Sequence, residues 1–250
     1  ALFAVRVLAA AGAPAADALV HPGHVWSSWA FEPAVVAGLV ASAAWYGIGV
    51  RAIWRRAGRG HGVRSRQVWC FAGGLLALCI ALVSPLDTLS ETLFSVHMVQ
   101  HLVLILVAAP LLALGEPLLP ALWAFPAAYR LALGRWWRAS PRARRAVRVA
   151  TDPLGVWLAH LAALWFWHLP RPYEAALGND GLHALEHLSF LGTAFLFWWV
   201  VLQPIGRRRL AAAGAVVYLA LTLMQSGALG VILTFARTPW YPVHAAGAVG

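Results

Sequence analysis

The residues best suited to chemistry in this sequence are its histidines, ten of them against nine acids. His97 and His101 stand in His-Met-Val-Gln-His, and His183 and His187 in His-Ala-Leu-Glu-His. Both pairs are spaced i, i+4, so on a helix the two rings of each pair project from one face. That spacing lets two imidazoles hold one metal ion, as in other helical two-histidine motifs. Imidazole suits Zn, Cu, Fe and Ni, and nothing here resembles the oxygen cage of a hard cation. A single histidine in an apolar helix is more often a hydrogen-bonded core residue, and His160 is read that way. Two pairs, with His168 as a fifth ring at matching depth, strain that reading. Polar groups in an apolar layer are costly and usually functional.

Other donors are few. Met98 adjoins His97, and Cys79 lies near the end of its own apolar run. Core packing is the commoner use of such side chains. Glu186 precedes His187, while Asp87 and Glu91 precede the run that holds His97. These carboxylates suit either the orientation of imidazoles from behind or the capping of helix N-termini. His21 and His24 form an accessory pair upstream. Cys70 and Cys79 are too few for a disulfide framework. Nine residues apart on one helix, they point roughly 180° away from each other and cannot pair.

The elements that must position these rings follow from composition. The chain has 250 residues, is 61% hydrophobic and only 11% charged, with a mean hydropathy of +0.71. Soluble domains are about 45–50% apolar and about 25% charged, so a water-soluble globule is excluded. The fold class expected is all-α: a polytopic transmembrane bundle of about six spans. The spans are read at 34–50, 68–83, 93–114, 154–169, 182–202 and 211–235, with Pro and Gly punctuating their ends. The stretch 118–129 is apolar but short and broken by Pro120 and Pro126, so an interfacial or re-entrant piece is expected there. Residues 1–32 form an N-terminal segment, and residues 33–250 a single membrane domain. Within that segment, residues 1–18 read either as the tail of a signal peptide or as an ordinary apolar stretch.

Arginine sets the orientation. All nineteen basic residues are Arg, and sixteen fall in the loops after the first, third and fifth spans. Only Arg6, Arg171 and Arg237 lie on the other side. The positive-inside rule puts the rich loops in the cytoplasm and the N-terminus outside. Topology and contact with anionic membrane lipids account for the basic charge without a nucleic-acid partner. His97 and His101 then lie roughly 6 and 12 Å below the outer end of their run, and His183 and His187 roughly 2 and 8 Å below theirs. With His168 at the outer end of the fourth span, five imidazoles from three helices share one layer. His21 and His24 are outside as well.

At these residues the sequence resembles the CtaG-type cytochrome c oxidase assembly factors, in the branch linked to caa-type oxidases. The matching stretches are Ser84-Pro85-Leu86-Asp87, His97 to His101, and Pro110-Leu111-Leu112 through Gly115-Glu116-Pro117. His168-Leu169-Pro170, Tyr173 and His183 to His187 match as well. The resemblance implies a multi-pass protein of the bacterial plasma membrane, not an enzyme. It would be a chaperone that delivers copper to the haem–copper centre of an oxidase subunit. His97, His101, His168, His183 and His187 would be its copper-handling residues, on the outer, periplasmic side. Members of the family continue through a further span with an Asp-Gln segment absent from this sequence, so a shortened chain, or one without that helix, is expected.

Three rival readings stand beside it. Three histidines and an open water position on zinc suit an intramembrane hydrolase of a lipid amide or ester, with Glu186 or Asp87 as base. Histidines on facing helices can also ligate haem, although each pair crowds two rings at nearly one depth. A purely structural assembly protein would hold the rings by hydrogen bonds.

Overall fold

The computed structural model describes residues 29–90, 93–202 and 210–235. The N-terminal segment with His21 and His24, Glu91, and Arg207 to Arg209 lie outside the described residues. Every regular element among the described residues is helical. Five helices are long and apolar enough to cross a membrane, and a bent pair makes a sixth candidate.

Helix α1, Pro33–Ala57, begins with Pro at its first turn, where the missing N–H costs nothing. It ends at Gly58, whose φ of +88° suits glycine and whose N–H returns to the Trp54 carbonyl. The helix runs seven residues past the expected span. Arg51, Arg55 and Arg56 therefore sit on helix rather than loop, since Arg is a good helix former whose stem lies along apolar surface. Helix α2, Ser65–Leu82, is followed by the short α3, Pro85–Ser90.

Helix α4 runs Phe94–Leu114 and carries a π-helical turn at Val103–Ala108. Pro110 follows it. With no N–H to donate and a ring that crowds the preceding turn, Pro110 favours a wider turn before it. After Gly115 the chain turns through Glu116, whose φ of +46° is left-handed. It then enters α5, Leu118–Trp123.

The stretch 118–129 thus holds the short helix α5 and, after a turn at Ala124-Phe125, the first residues of the next helix, which Pro126 precedes. Helix α5 lies against α1 at Gly49, where a Cβ would fall 1.8 Å from the Pro120 carbonyl oxygen. Two basic helices follow, α6 (Ala127–Ala139) and α7 (Pro141–Ala150). The expected fourth span is α8, Pro153–Trp167. Its fifteen residues fall short of the ~20 needed for the hydrocarbon layer. It meets α7 across a 55° bend at Asp152-Pro153, and the two are long and apolar enough to cross only when taken together. The short α9, Pro170–Leu177, leads to α10, Asp180–Leu202. Helix α11, Ala212–Thr234, is last.

Small residues let the central helices approach closely. Ala77 and Ala81 of α2 meet Ala108 of α4, and Ala109 of α4 meets Ala194 of α10. On the α1 side Tyr46 stacks on Phe71 at 3.9 Å, and its hydroxyl donates to the Gly115 carbonyl at 2.9 Å. Helix α11 is held mainly by α8. Tyr218 donates to the Pro153 carbonyl, Trp157 to Thr222, and Trp165 to Gln225. The α2–α4–α10 core carries the histidine layer at one end.

Candidate metal centre

The i, i+4 arithmetic holds on both helices. On α4 the His97 and His101 ring centroids are 4.3 Å apart, and on α10 those of His183 and His187 are also 4.3 Å apart. The two pairs face each other. His97 stacks on His183 at 5.6 Å, and His101 meets His187 edge-on at 5.4 Å. His168, at the end of α8, lies 6.2 Å from His101. Four rings therefore form one cluster and the fifth stands against it. All but His183 are buried.

Glu186 enters this cluster more directly than expected. One turn after His183, it is 1% exposed, and its Oε1 is 3.7 Å from His101 Nε2. Ligand atoms of His97, His101 and Glu186 all lie within 4.8 Å of one another, a grouping that could hold one metal ion. Both ring nitrogens of His101, both Glu186 oxygens, and Nε2 of His183 and of His187 make no hydrogen bond within the protein. So many unsatisfied polar atoms at one buried point are costly. A bound ion at this point would satisfy several of them at once.

The surroundings fix ring orientation. His168 Nδ1 lies 2.7 Å from the Leu164 carbonyl. A carbonyl only accepts, so this nitrogen carries the proton and Nε2 of the neutral ring is left as an acceptor that could take a ligand. Tyr173 of α9 is 1% exposed and packs against His97 at 5.4 Å. Phe190 closes the floor against His101 at 4.7 Å. Trp167 donates to Ser189 Oγ, which donates to the Glu186 carbonyl, so the α10 backbone at the site is held from α8.

Asp87 accepts from Gln100 Nε2 at 2.7 Å, and the same nitrogen donates to the Ala81 carbonyl at 2.8 Å. Gln100 is fully buried and ties α4 to α2 and α3 one residue before His101. Gln100 and Tyr173 are the site's supports that spacing alone did not assign. The signal for Gln100 was an amide inside an apolar span. Cys79 is half-buried on α2 and outside the metal grouping.

His160 is a packed core residue. Its Nδ1 is 3.0 Å from Thr193 Oγ1, whose own proton goes to the Ser189 carbonyl, so the imidazole N–H donates to the threonine. Gln225 and Ser226 bond each other on α11. A cavity of about 690 Å³ runs between α4, α8, α10 and α11. Met98, His101, His160 and His168 line it, so the cluster has an apolar approach from the side.

A sequence profile of a family described as cytochrome c oxidase caa3 assembly factor matches residues 44–249. The chain is also 26% identical over 197 residues to an uncharacterized protein of Mycobacterium bovis and to one of Mycobacterium tuberculosis. The match covers 77% of this chain and 29% of each relative, so the chain spans under a third of their length. No solved structure matches it.

Proposed function

The chain belongs to the cytochrome c oxidase caa3 assembly factors, and from that membership we propose that it carries copper to the oxidase on its buried histidine–glutamate cluster. Copper is cargo in this reading. The inner position is His97, His101 and Glu186, with His183, His187 and His168 alongside. The observation that carries it is the set of buried donor atoms of His101, Glu186, His183 and His187 that make no hydrogen bond. The donors exceed the four that a tetrahedral ion takes, so ligands can exchange one at a time without the ion entering hydrocarbon.

Copper enters from the outer compartment of the bacterial plasma membrane and leaves sideways to an oxidase subunit docked in the bilayer. The cavity reaching His101 and His168 supports that sideways route. Met98 on its wall supplies one soft contact along the way. His21 and His24 make first contact outside. The chain itself makes and breaks no covalent bond.

The experiment is complementation. In a host that lacks the chain, oxidase is purified after expression of the parent or of His97→Ala/His101→Ala, and copper per haem is measured. The expected result is assembled oxidase with depleted copper in the variant. Full copper occupancy with the double variant present at parental levels overturns the proposal.

A further inference from the structure

The copper reading does not use the two basic helices between α5 and α8. No residue of α6 or α7 is buried. The stretch from Ala127 to Thr151 contains seven arginines and no acid. At about 100° per residue, Arg144, Arg145 and Arg148 of α7 fall within an arc of roughly 100°, with Arg142 at its rim. Ala143, Ala146, Val147 and Ala150 fill an arc of similar width on the other side. Helix α6 divides less cleanly: Arg135 and Arg138 flank Leu131 on one side, Tyr129, Leu133, Trp136 and Trp137 share the other, and Arg130 lies at the boundary beside Trp137. All five of those apolar side chains are exposed.

The pair is also fixed as a unit. The Arg144 guanidinium donates to the Trp137 and Arg138 carbonyls, capping α6 from α7. At its near end, the guanidinium of Arg130 lies 4.0 Å and that of Arg56 5.6 Å from the ring centre of Trp123.

We propose that α6 and α7 lie in the cytoplasmic headgroup layer and bind anionic phospholipid, with arginines on the phosphates and the Tyr129–Trp137 face in the acyl boundary. Three features select a lipid surface as the occupant. The exposed apolar face is built of Trp and Tyr, which partition to that depth. The opposite face carries the arginines and no acid, with Leu131 and Val149 exposed among them, which suits the polar side of an interfacial amphipathic helix. Chain connectivity also puts the pair at a bilayer surface, because it follows the end of α4 and leads through a bend into α8.

The test uses the purified full chain in neutral detergent, with phosphatidylglycerol or phosphatidylcholine added at equal concentration and bound lipid counted by native mass spectrometry. The variant is Arg142→Gln/Arg145→Gln/Arg148→Gln; Arg144 stays because it caps α6. The parent should retain phosphatidylglycerol in preference. Each arginine removed should weaken that retention roughly fivefold, with phosphatidylcholine unchanged and helical content preserved. High salt should weaken retention in the parent as well. Equal retention of the two lipids, or an unchanged preference in the triple variant, overturns the proposal. Capture of poly-glutamate in place of phosphatidylglycerol overturns it in favour of an acidic protein partner.

Discussion

Replacing Glu186 with Met separates a metal ligand from a structural ion pair by the sign of its effect. Glu186 is 1% exposed, neither carboxylate oxygen has a hydrogen bond, and the nearest basic atom is His101 Nε2 at 3.7 Å. If the carboxylate is kept for metal, it is a liability in the metal-free protein. Glu186→Met, of similar length and fully apolar, then stabilises the metal-free chain by about 1–3 kcal/mol. If Glu186 instead pairs with a charged His101, the same change strands a buried charge and costs about 3–5 kcal/mol.

Metal-linked stability moves the other way. At a free metal concentration of one hundred times Kd, the parent gains about 2.7 kcal/mol. A 10–100-fold loss of affinity, as for other groups that support a metal, cuts that gain to about 0.4–1.4 kcal/mol. The assay is thermal unfolding in detergent, with and without added metal, followed by near-UV circular dichroism. A metal-free variant less stable than the metal-free parent refutes the reasoning. So does an undiminished metal-induced gain.

Further outcomes follow from particular contacts. Gly49→Ala drives a Cβ into the Pro120 carbonyl and should cost about 1–3 kcal/mol or more by overpacking, read as lower thermal stability and membrane yield. Tyr46→Phe strips the Gly115 carbonyl of its hydroxyl donor and should cost about 1–3 kcal/mol, with metal content unchanged. His160→Leu breaks the bond to Thr193 and should lower stability while leaving metal content at the parental level; a loss of metal would place His160 in the site. For orientation, Arg59→Cys and Gly178→Cys in a chain lacking Cys70 and Cys79 should differ in intact cells, with an impermeant thiol reagent labelling only the latter. Labelling of Arg59→Cys alone would invert the topology.

Much of this was legible because the strongest signals were periodic. The i, i+4 pairs on α4 and α10 needed only helical geometry to be placed on one face. The alternation of arginine-rich and arginine-poor loops predicted that both helices run the same way, which is what lets the pairs meet at one depth. Span ends were harder. Arg51, Arg55 and Arg56 looked like loop residues by charge, yet they extend α1. Trp167 ends α8 two residues early, and α8 begins only after a 55° bend from α7 that Asp152-Pro153 signals but does not measure. Glu186 was underestimated for a geometric reason: at i+3 from His183 and i−1 from His187 its direction depends on the facing helix, which periodicity along one chain cannot supply. Gln100 is a similar case, because its partners, Ala81 and Asp87, come from outside α4.

The most direct test of the account is elemental analysis of the detergent-purified chain from copper- and zinc-supplemented cells. It is run beside a His97→Ala/His101→Ala/His183→Ala/His187→Ala variant shown by circular dichroism to remain helical. The account predicts near-stoichiometric copper in the parent and none in the variant. Copper kept by the variant, zinc in place of copper, or no metal in either protein would contradict it.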